Sequence, residues 1–119
     1  MIVRSLQEAV PFTTKDGSTI RSLLDSTTAP VEGQSLAEAT LEPGHATQRH
    51  HHRQTEEIYL VTEGRGRMEI DGEERDVAVC DAILIPPGAR HQLRNDGDGA
   101  LRILCCCAPP YRHDDTYLD

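Results

Sequence analysis

Residues 44–64 read GHATQRHHHRQTEEIYLVTEG and bring four of the chain's six histidines within eight positions. Successive side chains of a β-strand point to opposite faces of the sheet. If this stretch is extended, His50 and His52 therefore share one face, and His51 points to the other. The next alternating segment turns Glu57 inward and Glu56 outward. Imidazoles and a carboxylate without a neighbouring thiol favour a divalent ion such as manganese, iron, cobalt, nickel or zinc.

Working outward, short runs of alternating or β-branched residues recur between turn signals, and no window keeps a helical period. The pattern predicts an all-β fold, a sandwich or small barrel of short antiparallel strands. Asp71-Gly72 is typical of a tight hairpin turn, and Pro86-Pro87-Gly88 also interrupts the chain. The predicted strands are Ile20–Leu24, Gln34–Leu41, Thr47–His52, Glu57–Thr62, Gly66–Ile70, Glu73–Val79, Ala82–Ile85, His91–Arg94 and Leu101–Cys106.

Composition limits the function classes. The 119 residues suit one domain, and no apolar run approaches the length of about 18 residues that a membrane span needs. Acidic residues outnumber basic ones 20 to 12, which gives a net charge of −8 and argues against a nucleic-acid partner. The first residues do not resemble a signal peptide, so we expect a cytoplasmic location. The four cysteines lack a disulfide framework and are interpreted as reduced thiols.

Two spaced motifs carry a family resemblance. The first consists of Gly44, His50, His52, Glu57 and Gly64, and the second, within residues 86–95, consists of Pro86, Gly88, His91 and Asn95. Together they resemble the two sequence motifs of the cupin superfamily. One position departs from that pattern, because Cys80 stands where the second motif usually has a glycine. Local backbone strain is the expected consequence.

The resemblance implies a double-stranded β-helix, the jelly-roll-like small barrel of cupins. The metal-site motifs at 44–64 and 86–95 fall within a single predicted domain over residues 1–119. The polar, weakly patterned residues from 1 to about 19 are interpreted as an N-terminal arm, and those from about 108 to 119, which include two prolines, as a C-terminal tail. One divalent metal per chain is implied, manganese or iron first, with nickel, zinc or cobalt as alternatives. Its ligands by resemblance are His50, His52, Glu57 and His91. Their net charge with the metal is +1, which favours a small anionic ligand.

Several further residues are expected around this centre. Strand phase places Gln48, Tyr59 and Val61 inward, and Met68, Ile70 and Leu93 are expected in the pocket wall. Of these, Gln48, Tyr59 and Met68 are the candidate substrate contacts. Tyr59 either acts in proton transfer and anion binding or simply lines the barrel, and Gln48 either bonds a metal-bound water or lies on the rim.

Other features have plainer alternatives. A run of three histidines can be a solvated surface patch instead of part of a metal site. The two residues that strand phase turns outward, His51 and Glu56, are expected at the surface or at an interface. Residues 105–107 are three consecutive cysteines, and buried small hydrophobes are the commoner interpretation of such thiols. Ile58 and Leu60 make the outer face of one strand apolar, which predicts a homodimer that covers it.

Two functions remain open from the sequence. The first is an enzyme, a dioxygenase, decarboxylase or isomerase acting on a small oxygen-rich molecule such as a carboxylate or sugar acid. Short cupins described as mannose-6-phosphate-isomerase-like or oxalate-decarboxylase-like resemble this chain. The second is a non-catalytic module that binds or senses a small ligand through the same metal. No lid carboxylate of the kind that cupin decarboxylases use is evident, since neither Glu63 nor Glu69 lies in an evident lid.

Overall fold

Two antiparallel sheets face each other in the computed structural model, which describes all 119 residues. One sheet has six strands in the order β1-β2-β3-β10-β5-β8, and the other has five in the order β11-β4-β9-β6-β7. The strands are β1 (Phe12–Thr13), β2 (Thr19–Leu24), β3 (Ser35–Leu41), β4 (His50–His52), β5 (Glu56–Glu63), β6 (Arg65–Ile70), β7 (Glu73–Ala78), β8 (Ala82–Ile85), β9 (His91–Arg94), β10 (Leu101–Ala108) and β11 (Thr116–Leu118).

The all-β prediction is confirmed, and each of the nine predicted strands has a counterpart. The one helical element is a 3-10 turn at His113–Asp115, and no helix has the length and apolar character needed to cross a membrane. The strands β1 and β11 were not predicted. They contain two and three residues, too few for an alternating pattern to be recognised.

The inner faces of the two sheets enclose one apolar core. Strand β5 alternates between exposed and buried residues, and its buried set includes Tyr59 and Val61. Strand β10 buries Leu101, Ile103 and Cys105 on the same side as these residues. The alternate side chains that each strand turns to its inner face are therefore the side chains that fill the space between the two sheets.

Two turns show why glycine is needed at Gly72, in a hairpin, and at Gly64, a position of the first motif. Asp71 and Gly72 have φ values of 48° and 90°, which confirms the predicted hairpin turn. Gly64 has a φ of 80°, and a Cβ at that position would lie 2.4 Å from the carbonyl oxygen of Ala100. Glycine is required there both by backbone conformation and by the close approach of the neighbouring chain.

Cys80 has a φ of 77°, in the left-handed region that side chains disfavour. It lies in the turn between β7 and β8, where its N–H donates to the carbonyl oxygen of Val61. The strain expected from the missing motif glycine is therefore present, and it is confined to an exposed turn that joins the two sheets.

Candidate metal centre

Three buried imidazoles converge on the inner face of the five-stranded sheet. His50 and His52 lie on β4, and His91, directly opposite His50, lies on the neighbouring strand β9. One ring nitrogen from each histidine lies within 4.8 Å of the others. We refer to these three residues as the histidine triad. The strand phase inferred from the sequence brings His50 and His52 together, and the pairing of β4 with β9 adds the third ring.

Backbone carbonyls fix the orientation of two triad members. Nδ1 of His50 lies 2.7 Å from the carbonyl oxygen of Gln48, and Nδ1 of His91 lies 3.0 Å from that of Ala89. A carbonyl oxygen only accepts hydrogen bonds, so both Nδ1 atoms carry the proton. In the neutral ring this leaves the Nε2 lone pair free, and Nε2 is the atom aimed into the site. Burial, with His91 nearby, lowers the pKa of His50 and favours that neutral form.

The third member, His52, is oriented by a side chain from the C-terminal strand β11. Its Nδ1 lies 3.2 Å from the hydroxyl oxygen of Thr116. That hydroxyl donates its own proton to the carbonyl oxygen of Arg112, also at 3.2 Å. The oxygen of Thr116 is therefore left to accept from Nδ1 of His52, which again exposes Nε2.

A carboxylate reaches the triad from the facing sheet. Oε1 of Glu57, on β5, lies 3.5 Å from Nε2 of His52 and 3.7 Å from Nε2 of His91. Its other oxygen, Oε2, accepts from the thiol of Cys107 at 3.2 Å. Although burial acts to raise it, the pKa of Glu57 is held well below its usual range by His52 and His91. The same contact with Glu57 outweighs the opposing effect of burial and raises the pKa of His52.

The donor set fits a divalent metal ion. Oε1 of Glu57 and Nε2 of His91 are the two buried side-chain atoms that have no hydrogen-bond partner. Polar atoms buried without partners are rare and costly, and both of these belong to the converging group. A metal bound between them would satisfy both atoms. Three imidazoles and a carboxylate also leave positions of an octahedral ion free for another ligand.

Sequence reasoning missed a second carboxylate, that of Asp16. It lies in the turn between β1 and β2, and its Oδ2 is 3.5 Å from Nε2 of His50. The turn is built from Thr14-Lys-Asp-Gly-Ser18, a sequence that predicts a turn but not its position over the triad. Its location depends on the pairing of β1 with β2, and β1 is one of the two strands that were not predicted from the sequence.

Two members of the triad, His50 and His52, line a cavity of about 780 Å³, a volume that includes the open space at its mouth, whereas His91 is fully buried and does not line it. Most of the wall comes from the six-stranded sheet, and more than half of the lining residues are apolar. The acidic residues among them are Asp16, Asp25 and Glu57, and no lysine or arginine lines the cavity. Tyr59 is buried in this wall, and burial, with the charge of Glu57, raises the pKa of its phenol.

Two of the expected substrate contacts lie elsewhere. Gln48 is exposed and does not line the cavity, because β4 begins only at His50 rather than at Thr47. The hydroxyl of Thr47 accepts the N–H of Leu93 at 3.0 Å, where a regular strand would use a backbone carbonyl. This interruption breaks the alternation on which the inward placement of Gln48 depended.

Met68 is buried in the apolar core and does not line the cavity, and Ile70 is likewise packed against that core. Their strand, β6, lies on the side of β9 away from β4, so its inner residues are displaced from the triad. Leu93, on β9 itself, does line the cavity as expected. The pocket wall therefore comes from strands closer to the histidines.

The outward residues behave differently from one another. Glu56 is exposed, as the strand phase predicts. His51 points away from the triad but is buried, because β11 covers it: Tyr117 stacks on its ring at 5.3 Å, and its Nδ1 lies 2.9 Å from a carboxylate oxygen of Asp119. The outward orientation of His51 agrees with the strand phase, but its cover by β11 was not foreseen because that short strand was not recognised in the sequence.

All four cysteines are free, and alternation along β10 separates the consecutive three. Cys105 and Cys107 are buried in the cavity wall, and Cys106 faces away. Burial in apolar surroundings, with Glu57 nearby, raises the pKa of the Cys107 thiol. The prediction of small buried thiols is confirmed for two residues, and the hydrogen bond to Glu57 gives one of them a role in holding that carboxylate.

The amino-acid sequence is similar to those of known proteins over most of its length. A family model described as "Cupin domain" matches residues 37–107. MJ1618 of Methanocaldococcus jannaschii, an uncharacterised protein, is 48% identical over 108 residues, which are 91% of this chain and 86% of that relative. The family match spans the histidine triad and Glu57.

Two solved structures share the fold. A predicted oxalate decarboxylase from Thermotoga maritima superimposes with a TM-score of 0.78 at 24% identity, covering 91% of this chain and 98% of that one. Streptomyces Pac13, described as a nucleoside dehydratase, has a TM-score of 0.82 at 18% identity, covering 100% of this chain and 91% of that one. These similarities identify the architecture as a double-stranded β-helix.

Proposed function

The chain belongs to the cupin family, and we propose that it is a metal-dependent enzyme acting on a small oxygen-bearing molecule at a mononuclear centre. One observation carries this proposal: three imidazoles with free Nε2 atoms face a buried carboxylate oxygen that lacks a partner, beside a cavity. The proposed metal ligands are His50, His52, Glu57 and His91.

The protein groups have distinct roles in this proposal. The two backbone carbonyls and Thr116 hold the triad as neutral donors, and Cys107 holds Oε2 of Glu57 so that Oε1 faces the histidines. When bound, a divalent metal supplies a Lewis acid or redox centre for oxygen-dependent cleavage, decarboxylation or isomerisation. Tyr59, in the cavity wall, is proposed to donate a hydrogen bond from its phenol to the bound molecule.

Manganese or iron is the proposed native metal, with nickel, zinc and cobalt as alternatives that the same ligands accept. The net charge of +1 on a divalent metal with these four ligands predicts an anionic substrate such as a carboxylate or sugar acid. Solved structures of the same fold are described as a predicted oxalate decarboxylase and as a nucleoside dehydratase. Because one fold serves many reactions, the reaction class is left at this breadth.

A non-catalytic binding or sensing module is the second candidate function. The observation that favours it is the largely apolar cavity wall, which suits the binding of a small ligand by burial of its apolar surface. A module of this kind would bind the same ligand through the same metal and release it unchanged. Product formation from a bound ligand separates the two functions.

A homodimer is proposed on the outer face of the six-stranded sheet. Ile58, Leu60 and Leu84 are exposed there on the adjacent strands β5 and β8. Burial of this apolar face against a second copy would remove it from water. Sedimentation at micromolar concentration should give a species of twice 13.2 kDa, and a monomer would contradict the proposal. The cytoplasmic location stays a prediction.

The first test of function is elemental analysis by plasma mass spectrometry, on untagged protein purified without chelator. We expect close to one manganese or iron per chain. Zinc or nickel would favour isomerisation, hydrolysis or binding over redox chemistry. If the protein holds no metal and takes none up on titration, the metal-dependent function is wrong.

A further inference from the structure

The cavity beside the triad is poorly suited to a small anion. Its charged lining residues apart from histidine are all acidic, and no lysine or arginine is present to offset them. The remaining wall is largely apolar, with Ile20, Ala37 and Ile103 among its members. A carboxylate entering this space would have to rely on the metal alone for compensating charge.

Asp16 changes how much charge the metal has to offer. Its Oδ2 lies 3.5 Å from Nε2 of His50, the same separation as that between Oε1 of Glu57 and Nε2 of His52. The Asp16 side chain is 14% exposed, so its charge acts on the site with limited screening by water. Glu57 faces His52 and His91, and Asp16 faces the remaining triad member.

The position of this carboxylate is fixed by its own turn. Oδ1 of Asp16 accepts hydrogen bonds from the hydroxyl of Thr14 at 2.7 Å and from the N–H and hydroxyl of Ser18 at 2.9 and 2.7 Å. The backbone carbonyl of Asp16 accepts the N–H of Gln48 at 2.7 Å, which ties the turn to the segment leading into β4. Oδ2 is therefore left free and directed at the triad.

A second anchor comes from the neighbouring residue. The ammonium group of Lys15 donates to the carbonyl oxygen of Thr116 at 2.8 Å and to that of His113 at 3.2 Å. The turn that carries Asp16 is thus fastened to the same C-terminal segment that orients His52. Two independent contacts hold Asp16 over the centre, and it is not a mobile surface carboxylate.

We propose that Asp16 is a second carboxylate of the metal centre and that the loaded site consequently selects a neutral, apolar-bodied ligand with one oxygen donor. This inference rests on the proposed metal centre. A divalent ion with three neutral imidazoles and Glu57 alone carries a net charge of +1, and Asp16 reduces that charge to zero. The substrate class is therefore an alcohol, phenol, ketone or amide with a hydrocarbon body, rather than the small anion that the sequence suggested.

The test compares benzamide with benzoate, which have nearly the same shape and differ in charge. Binding of each is measured by isothermal titration calorimetry to cobalt-saturated protein, for the wild type and for Asp16→Asn. Asparagine keeps an oxygen in place of Oδ1, so the turn retains its acceptor while the charge is lost. We expect the ratio of benzoate to benzamide affinity to rise about tenfold or more in the variant.

Two variants serve as controls. Asp25→Asn removes the same charge from the same cavity, but the carboxylate of Asp25 bonds to Ser22 and Thr27 rather than facing a histidine. Its affinity ratio should stay within about twofold of the wild type, because Coulomb energy falls with distance. Ser18→Ala perturbs the turn without removing charge and should also leave the ratio low.

The outcomes separate the two proposals. Wild-type protein that takes up no cobalt would overturn both the metal centre and this inference. Wild-type protein that binds cobalt but prefers benzoate would overturn this inference and leave the metal centre standing. This inference would also be overturned, with the metal centre left standing, if Asp16→Asn did not change the affinity ratio or if Asp25→Asn raised that ratio equally.

Discussion

The two sheets contribute opposite kinds of group to the centre. The five-stranded sheet supplies the three nitrogen donors on β4 and β9, and the six-stranded sheet supplies Glu57 and, from the turn before β2, Asp16. The nitrogen donors are oriented by hydrogen bonds to the segments that lead into β4 and β9 and to β11. Neither sheet alone carries both donor types, so the proposed site exists only where the two inner faces meet.

Removing one donor from either sheet should have the largest effect. We expect His91→Ala and Glu57→Ala each to weaken metal retention by more than about 100-fold, since each leaves the ion with an incomplete ligand set. Metal content after dialysis, measured by plasma mass spectrometry, checks this. His51→Ala is the control and should keep its metal, because His51 faces away from the triad. Loss from the histidine variant alone would mean that only one sheet binds the ion.

Metal removal should loosen the contact between the sheets. A ligand that binds only the native state stabilises it by about 2.7 kcal/mol at a concentration 100 times its dissociation constant. Chelation should therefore lower the melting temperature of the wild type by several degrees, and readdition of metal should restore it. Glu57→Ala should show no such response. A wild-type melting curve indifferent to chelator would count against a bridging role.

A smaller effect distinguishes members of the histidine triad. His50 and His91 are oriented by backbone, whereas His52 depends on the hydroxyl of Thr116. Thr116→Val should reduce metal affinity about 10- to 100-fold, because the tautomer of His52 is no longer fixed. Thr62→Val, which removes an exposed hydroxyl from the other sheet, should leave affinity unchanged. Competition with a chromogenic chelator measures the metal affinity of both variants. If Thr116→Val bound metal as tightly as Thr62→Val, β11 would not support the site.

The smallest effect concerns the turn that joins the sheets. Cys80→Gly should stabilise the fold by about 1 kcal/mol, because glycine adopts the observed positive φ without strain. Metal content should not change. Denaturant unfolding of the variant and of Cys80→Ser checks this, since serine keeps the strained conformation and should give no gain. An equal gain from serine would point to the thiol rather than to the backbone.

The fold was predictable because most strands alternate over four or more residues and are bounded by turn signals. The alternation in residues 56–63 and 101–107 correctly separates buried side chains from exposed or half-buried ones. The phase fails at Gln48, where a threonine hydroxyl replaces a backbone acceptor and interrupts the strand. The alternation of a sequence shows which face of the sheet a side chain occupies only within a strand whose backbone hydrogen bonds are uninterrupted.

The candidate site was predictable in part for a similar reason. The triad and Glu57 lie in the two motifs, so their spacing can be read directly from the sequence. Asp16 lies in a polar segment with no periodicity, and its approach to His50 depends on tertiary contacts with Gln48 and the C-terminal segment. The burial of His51 depends likewise on β11, whose three residues give no pattern of their own. Contacts between distant short segments leave no local signature.

The hydrogen bond from Lys15 to the carbonyl oxygen of Thr116 joins residues that are 101 positions apart, so it can form only after nearly the whole chain has been synthesised. The ribosome releases the histidine-rich segment long before Thr116, so the early nascent chain has imidazoles but neither the hydroxyl that sets the His52 tautomer nor the anchor for Asp16. Contacts of such high sequence separation form late in folding. Correct metal selection should therefore be a post-translational event, and ions met during translation would encounter only a loose, unselective histidine cluster.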